Sequence, residues 1–161
     1  EYALAGLLMS RGLMDEGLRI VRGVRERYDG AKRNPWNEIE CGSNYARSMS
    51  SFAFLPILSG MRFDMTRGLL GFAPKLNGED FRCVWSLGSA WGEVGIRDGS
   101  ALLTVLGGEL TLSALELPGL DGGFDVTVDG KPVPAEVGEG AVRFDAPVSA
   151  LQEIRVARRA V

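Results

Sequence analysis

Apolar positions recur at helical spacing through the first part of the chain. Residues 2–10 are almost continuously apolar, and Gly12 follows them as a residue suited to a left-handed helix stop. The next apolar side chains are three or four residues apart, with arginines on the opposite face: Met14, Leu18, Val21, Val24 and Tyr28. The pattern predicts helices over residues 2–10 and 14–28, joined as an αα-hairpin.

A third helix is predicted over residues 44–58, where Ser43 or Asn44 supplies a capping side chain. Its apolar residues lie on nearly every side, which indicates burial between other elements. Pro56 lacks a backbone donor, so we expect it to kink this helix or end it early. Three helices this apolar cannot cover one another in a small module. The pattern therefore predicts a larger helical body.

The hydrophobic period changes to two near Arg62, and this alternation predicts strands over most of residues 80–158. Asn77-Gly78 and Asp129-Gly130 are typical of two-residue hairpin turns. Short strands separated by Gly-rich turns predict an antiparallel sheet or a small sandwich. Residues 115–117 are out of phase with the alternation before them, which predicts a bulge.

Several single residues in the β region have a structural interpretation. Trp85 and Trp91 occupy alternating positions, where aromatic residues usually pack in a core or on a hairpin face, so we favour packing over a sugar platform. Asp129 is interpreted as a turn residue. Cys41 and Cys83 are interpreted as buried thiols.

Composition excludes several classes of function. The 161 residues are 45% hydrophobic and 24% charged, with a net charge of −3 and no dense basic patch, so we expect no nucleic-acid partner. Without histidine the chain contains no Ser-His-Asp triad, and two cysteines with carboxylates are a poor zinc site. We expect no metal and no cofactor. The sequence has no signal peptide and no membrane span, and this favours a cytoplasmic location.

The densest polar and aromatic segment is the loop over residues 33–47. Carboxylates accept hydrogen bonds from neighbouring hydroxyls, an arginine donates several from a planar fork, and a tryptophan face packs on a pyranose ring. Arg47 lies in the first turn of the third helix, where the dipole disfavours a cation. An anionic neighbour such as Glu38 or Glu40 should offset this. A structural salt bridge therefore remains an alternative to ligand binding.

Residues 34–51, NPWNEIECGSNYARSMSS, resemble the late catalytic-domain motif of glycoside hydrolase family 116, the retaining β-glucosidases and glucosylceramidases. Residues 71–82 and Trp91-Gly92 are similar to the segment that follows it in that family. The resemblance covers most of residues 1–95. It implies an α+β chain in which the last helices of an (α/α)6 toroid precede an antiparallel β module. The implied divisions are residues 1–62 for the toroid helices, 63–97 for a β-hairpin extension, and 98–161 for the β module.

The resemblance also implies roles for individual residues. Glu38 and Arg47 match the glutamate and arginine that bind the glucose unit beside the scissile bond, and Trp36, Asn37 and Glu40 fall in the same motif with supporting roles. Retaining hydrolysis needs two carboxyl groups about 5 Å apart. Nothing in the chain matches the segments that carry the family's nucleophile and acid/base. We therefore expect no catalytic residue here and an inactive isolated chain.

The leading hypothesis is a C-terminal fragment of a glycoside hydrolase that acts on a β-glucoside or a related glycoside. Its partners would be the substrate and the remainder of its own catalytic domain, with self-association when that remainder is missing. Two alternatives stay open. One is a non-catalytic carbohydrate-binding or interaction module, and the other is a structural β domain with a helical adaptor.

Overall fold

The computed structural model describes residues 1–32, 47–120 and 123–159, with the backbone alone at residues 47 and 48. The chain divides into unit 1, Glu1–Leu58, and unit 2, Ser59–Val161. Across the described residues the protein is α+β, with three short α-helices, one 3₁₀ helix and two sheets that contain eleven strands. None of the described helices has the length and apolar character needed to cross a membrane.

Unit 1 begins with the predicted helical hairpin. Helix α1 spans Tyr2–Ser10 and helix α2 spans Met14–Arg27, so both predictions are confirmed. Gly12 between them has the left-handed φ of 84° expected of a helix stop. The two helices approach closely at Gly17, where a Cβ atom would lie 2.4 Å from Cγ of Met9.

The third helix differs from its prediction. Residues 44–46 lie outside the described residues, a 3₁₀ helix spans Arg47–Ala53, and the α-helix α3 spans only Phe54–Ser59. Pro56 was expected to kink or end a helix, and this prediction is wrong, because Pro56 lies in the first turn of α3. An N–H in the first turn has no partner within its helix, so proline is tolerated there.

Unit 2 contains all eleven strands that the structure describes. In chain order, strands β1 to β11 span Arg62–Asp64, Leu69–Gly71, Asp80–Ser86, Ala90–Arg97, Ser100–Gly108, Leu110–Glu116, Phe124–Val128, Lys131–Pro132, Ala135–Gly138, Ala141–Ala150 and Glu153–Arg158. The five-stranded sheet has the order β1-β2-β6-β10-β9 and the six-stranded sheet has the order β3-β4-β5-β11-β7-β8. Strands on either side of residue 98 pair with each other in both sheets, as β2–β6 and β4–β5.

Strands over most of residues 80–158 are confirmed, but the module is not wholly antiparallel. Strand β2 pairs with β6 in parallel, whereas the other recorded pairs are antiparallel. The chain between β2 and β6 passes through three strands of the other sheet. This long crossover allows β6 to lie beside β2 and run in the same direction.

One cluster of buried side chains joins the two sheets. Leu112 and Val142 contribute to it from the five-stranded sheet, and Leu103 and Ile154 from the six-stranded sheet, all with no exposed surface. Trp85 is also buried in this core, as predicted.

The prediction for Cys83 needs correction. Cys83 is only half-buried, because it packs at the margin of the core on β3, an edge strand. Burial raises the pKa of its thiol. Cys41 lies outside the described residues.

The two predicted hairpin turns differ in outcome. Asp129-Gly130 joins β7 to β8 with φ values of 48° and 75°, so this hairpin is confirmed. Asn77-Gly78 instead forms a turn that leads into β3, because the strands before and after it belong to different sheets. The bulge predicted at residues 115–117 is wrong in position, because Leu115 and Glu116 keep a regular register against β10. The register shifts between the Ala114–Arg143 and Leu112–Val148 pairs, and the extra residues there lie on β10.

Asp129 forms the β7–β8 turn and also contacts the connection between β10 and β11. Its Oδ2 accepts a hydrogen bond from the N–H of Leu151 at 3.0 Å, and its Oδ1 accepts from Gln152 and Glu153 at 2.9 Å each. Its own N–H donates to the Glu153 carbonyl at 2.9 Å. These backbone donors, with Leu151 the largest contributor, hold the pKa of Asp129 below its usual value. The carboxylate thus fastens the β7–β8 turn to the start of β11.

We expect Asp129→Asn to lower the melting temperature of unit 2 by a few degrees at pH 7. Asparagine tolerates the left-handed backbone but replaces one accepting oxygen by an amide donor. The loss is about 1 kcal/mol, moderated by water at this exposed site, and about 4–8 °C follows from each kcal/mol in a domain of this size. Differential scanning calorimetry measures it. Asp98→Asn is the matched control, because Asp98 has the same φ in the β4–β5 turn without a carboxylate hydrogen bond among the described residues.

The Asp129 effect should depend on pH in a defined direction. A carboxyl group whose pKa is lowered by folding contributes stability that is present above its unfolded pKa, near 3.8, and is lost as the pH falls through the folded pKa. The difference in melting temperature between the parent and Asp129→Asn should therefore be constant from pH 5 to 7 and shrink below about pH 4. A gap that stays constant at pH 3 would contradict the role of the ionised carboxylate.

Candidate functional site

The predicted sugar-binding loop leaves α2 through a segment that is fixed by local hydrogen bonds. The Asp29 carboxylate accepts hydrogen bonds from the N–H groups of Ala31 and Lys32 at 3.0 and 2.9 Å. Nζ of Lys32 donates to the Glu26 carbonyl at 2.7 Å, where it compensates the unpaired carbonyl end of the helix. The backbone donor of Lys32 is the main reason that the pKa of Asp29 is lowered.

The loop re-enters the described structure at Arg47, the first residue of the 3₁₀ helix. The segment after it packs on α1. The rings of Tyr2 and Phe54 meet edge to face with centroids 5.6 Å apart, and a Cβ on Gly6 would lie 3.1 Å from Cδ1 of Ile57. Aromatic edge-to-face contacts and close packing of this kind fix one element against another. Helix α1 therefore fixes the position of the chain just beyond the loop.

The site predictions fall largely outside the described residues. Trp36, Asn37, Glu38 and Glu40 all lie in the undescribed part of the loop, and only the backbone of Arg47 is described. Arg47 does begin a helical turn, as predicted, although the turn is 3₁₀ rather than α. The sugar-binding roles and the alternative salt bridge with Glu38 or Glu40 both stay predictions.

Two cavities in unit 2 are lined partly by residues 71–78, which belong to the segment covered by the family resemblance but were given no role. The first, about 320 Å³, contains two ion pairs at its rim, Arg62–Glu116 at 3.5 Å and Arg143–Glu139 at 3.9 Å. The second, about 300 Å³, is mainly apolar and has Lys75 as its charged lining residue. Among the described residues, no group of three or more cysteine, aspartate or glutamate side chains is arranged to hold a metal ion.

A third depression, of about 460 Å³, is a groove on the outer face of the six-stranded sheet. Gly95 and Leu102, which pair across β4 and β5, lie along it. Three guanidinium groups line it, and each has a carboxylate partner: Arg82 with Glu93, Arg97 with Asp80 at 2.8 Å, and Arg155 with Glu153 at 3.3 Å. The hydrogen bond with Arg97 lowers the pKa of Asp80, and the hydrogen bond with Glu93 raises the pKa of Arg82.

Trp91 lies on the same outer face, two residues before Glu93 on β4, and is 53% exposed. From the sequence, each tryptophan was expected to pack either in a core or on the face of a hairpin. The structure places Trp85 in the core and Trp91 on the exposed face. The alternation of side chains along β4 indicates that Trp91 is exposed, because Val94 and Ile96 face the core and the odd-numbered residues of this strand face outward.

No protein-family model matches the chain, and neither does any of the curated proteins with which it was compared. The resemblance in residues 34–51, 71–82 and 91–92 therefore rests on those motifs alone.

Proposed function

We propose that this chain is the C-terminal part of a retaining β-glucosidase or glucosylceramidase-like glycoside hydrolase. It contributes Glu38 and Arg47 to the binding of the sugar beside the scissile bond and contributes no catalytic carboxylate. Trp36, Asn37 and Glu40 support that site, and no cofactor takes part. The observation that carries the proposal is the order of uncommon residues in NPWNEIECGSNYARSMSS.

The surface of unit 1 supports the proposal that a larger helical body is its natural partner. In the described part of unit 1 only three hydrophobic residues are buried, Ala5, Met9 and Val24. Twice as many large hydrophobic side chains are exposed: Leu4, Leu7, Leu13, Met49, Phe52 and Leu55. Each is at least 47% exposed, which is more apolar surface than a stable independent helical module usually leaves. The last helices of a toroid would bury these side chains against neighbouring helices.

A second candidate function, a non-catalytic carbohydrate-binding or interaction module, is favoured by unit 2. Among the residues that the structure describes, its two sheets share a core of 21 buried residues, all of them in this unit. A unit with its own core is expected to fold independently of a catalytic body. In this alternative the chain keeps a binding surface and has no part in hydrolysis.

The 161-residue chain studied alone distinguishes these functions. We expect it to self-associate and to bind a hydrophobic dye, because the apolar face of unit 1 has lost its cover, and to leave aryl β-glucosides uncleaved. Light scattering, dye fluorescence and a chromogenic assay measure these three properties. The control is Leu4→Glu combined with Phe52→Glu, which places charges on the exposed face and should reduce both association and dye binding.

Two results would contradict the proposal. A clean monomer at high concentration without dye binding would show that unit 1 needs no helical partner. Cleavage of an aryl β-glucoside by the isolated chain, abolished by Glu38→Gln, would show that the assignment of roles is wrong.

A further inference from the structure

The outer face of the six-stranded sheet carries an aromatic side chain in an unusual setting. A Cβ atom placed on Gly107 would lie 2.6 Å from Nε1 and 3.1 Å from Cε2 of Trp91. The five-membered part of the indole thus covers the backbone of Gly107 on the neighbouring strand. About half of the Trp91 surface remains exposed to solvent. The glycine lets the ring lie against the sheet and offers an apolar platform on its outer side.

The platform continues along β4 into the groove. Outward positions on this strand follow the order Trp91, Glu93, Gly95, so the track is about 13 Å long at about 3.3 Å per residue. Arg82 connects the middle of the track to its groove end, because it pairs with Glu93 and also lines the groove at Gly95. The groove has room because a Cβ on Gly95 would meet no atom within 4 Å.

The charges along the track favour an uncharged ligand. Arg82, Arg97 and Arg155 each lie beside a carboxylate, so the groove offers donors and acceptors without a net charge. Phosphate-rich or other polyanionic ligands need unpaired cations. The hydroxyl of Thr104, opposite Glu93 on β5, adds a further donor and acceptor to this face. An apolar ring face beside planar hydrogen-bonding groups is the complement of a pyranose, which has apolar faces and a rim of hydroxyls.

We propose that this track, formed by Trp91, Glu93, Arg82 and Gly95, binds a neutral glycan chain. One sugar ring stacks on Trp91, and a ring further along the same glycan lies over Gly95 between Arg82 and Arg155. The site is formed by residues of unit 2 alone and does not depend on hydrolysis by the intact protein. It gives unit 2 a carbohydrate-binding function of its own.

Cellohexaose, titrated calorimetrically into the full chain, tests the proposal. We expect binding that falls at least tenfold in Trp91→Ala and at least fivefold in Gly95→Thr, because threonine fills the groove. The matched control is Gly138→Thr in β9 of the other sheet, where an added Cβ also meets nothing within 4 Å. It should bind within twofold of the parent. Circular dichroism and melting temperature establish that each variant is folded.

Three outcomes would overturn the proposal. The first is absence of cellohexaose binding by the parent, and the second is equal binding by the parent, Trp91→Ala and Gly95→Thr. The third is loss of self-association in Trp91→Ala, seen by light scattering, with no effect on glycan binding, which would make this face a protein interface. Tighter binding of heparin than of cellohexaose would contradict the neutral chemistry of the track.

Discussion

Gly92→Ala should lower the melting temperature of unit 2 by on the order of 10–20 °C, whereas Gly95→Ala, three residues further along β4, should leave it unchanged or raise it slightly. A Cβ on Gly92 would lie 1.8 Å from the carbonyl oxygen of Thr104 and 2.9 Å from Cζ2 of Trp85. Neither atom can move away cheaply, since one is backbone of the adjacent strand and the other belongs to the buried core. Overpacking of a core costs about 1–3 kcal/mol, and more when backbone must shift.

Gly95 is the matched control because it lies in the same strand and has open space at its Cβ position. Alanine there removes flexibility from the unfolded chain, which is worth about 0.4–1 kcal/mol. Calorimetry of both variants gives the comparison, with about 4–8 °C for each kcal/mol. Equal melting temperatures for the two variants would contradict the close approach of β4 to β5 at the register shift beside Trp91.

The sequence predicted the elements of the fold better than their arrangement. Alternation identifies a strand without naming its neighbour, so the parallel pairing of β2 with β6 could not be anticipated. The turn dipeptides likewise identify a turn without showing which strands it joins. Asp129-Gly130 makes a hairpin and Asn77-Gly78 does not, because the outcome depends on whether the flanking strands share a sheet. Asp98-Gly99 carries the same dipeptide as Asp129-Gly130 and does join β4 to β5.

The prediction for Pro56 was wrong for a local reason. The apolar pattern from residue 44 to 58 was treated as one α-helix, in which proline would be interior. The chain instead changes from 3₁₀ to α geometry at Phe54, which places Pro56 in a first turn. Hydrophobic spacing does not distinguish three from 3.6 residues per turn over so short a segment.

The candidate sites show what residue type alone can reveal. Glu38 and Arg47 were singled out because a run of uncommon residues resembles a family motif, and their roles stay predictions. The track at Trp91 was missed, since its parts come from two strands, β3 and β4, and meet only through cross-strand pairing. The sequence feature that points to it is the position of Trp91 in the alternation of β4. Once Val94 is known to be buried, the alternation places Trp91 on the outer face of the sheet.

Under the proposed function, Glu38→Gln and Arg47→Ala in the intact protein should each lower kcat/KM by roughly ten- to a hundredfold. Each side chain would make charge-assisted hydrogen bonds to sugar hydroxyls in a site closed to water. Loss of one partner of such a bond costs on the order of 1.5–3 kcal/mol, at about 1.36 kcal/mol per decade of rate. Contacts that tighten as the sugar ring distorts would lower kcat as well as raise KM. Glu16→Gln and Arg19→Ala, which change exposed residues of α2, are the matched controls.

The most direct measurement is therefore kcat/KM per folded molecule, taken with the melting temperature, for Glu38→Gln and Arg47→Ala of the intact protein. Sugar binding predicts a fall of at least tenfold in kcat/KM for both variants, while the two controls on α2 stay at the parent value. A salt bridge that only holds the loop to its helix predicts a lower melting temperature with kcat/KM within about twofold, a change worth about 0.4 kcal/mol. That second result would contradict the proposed function.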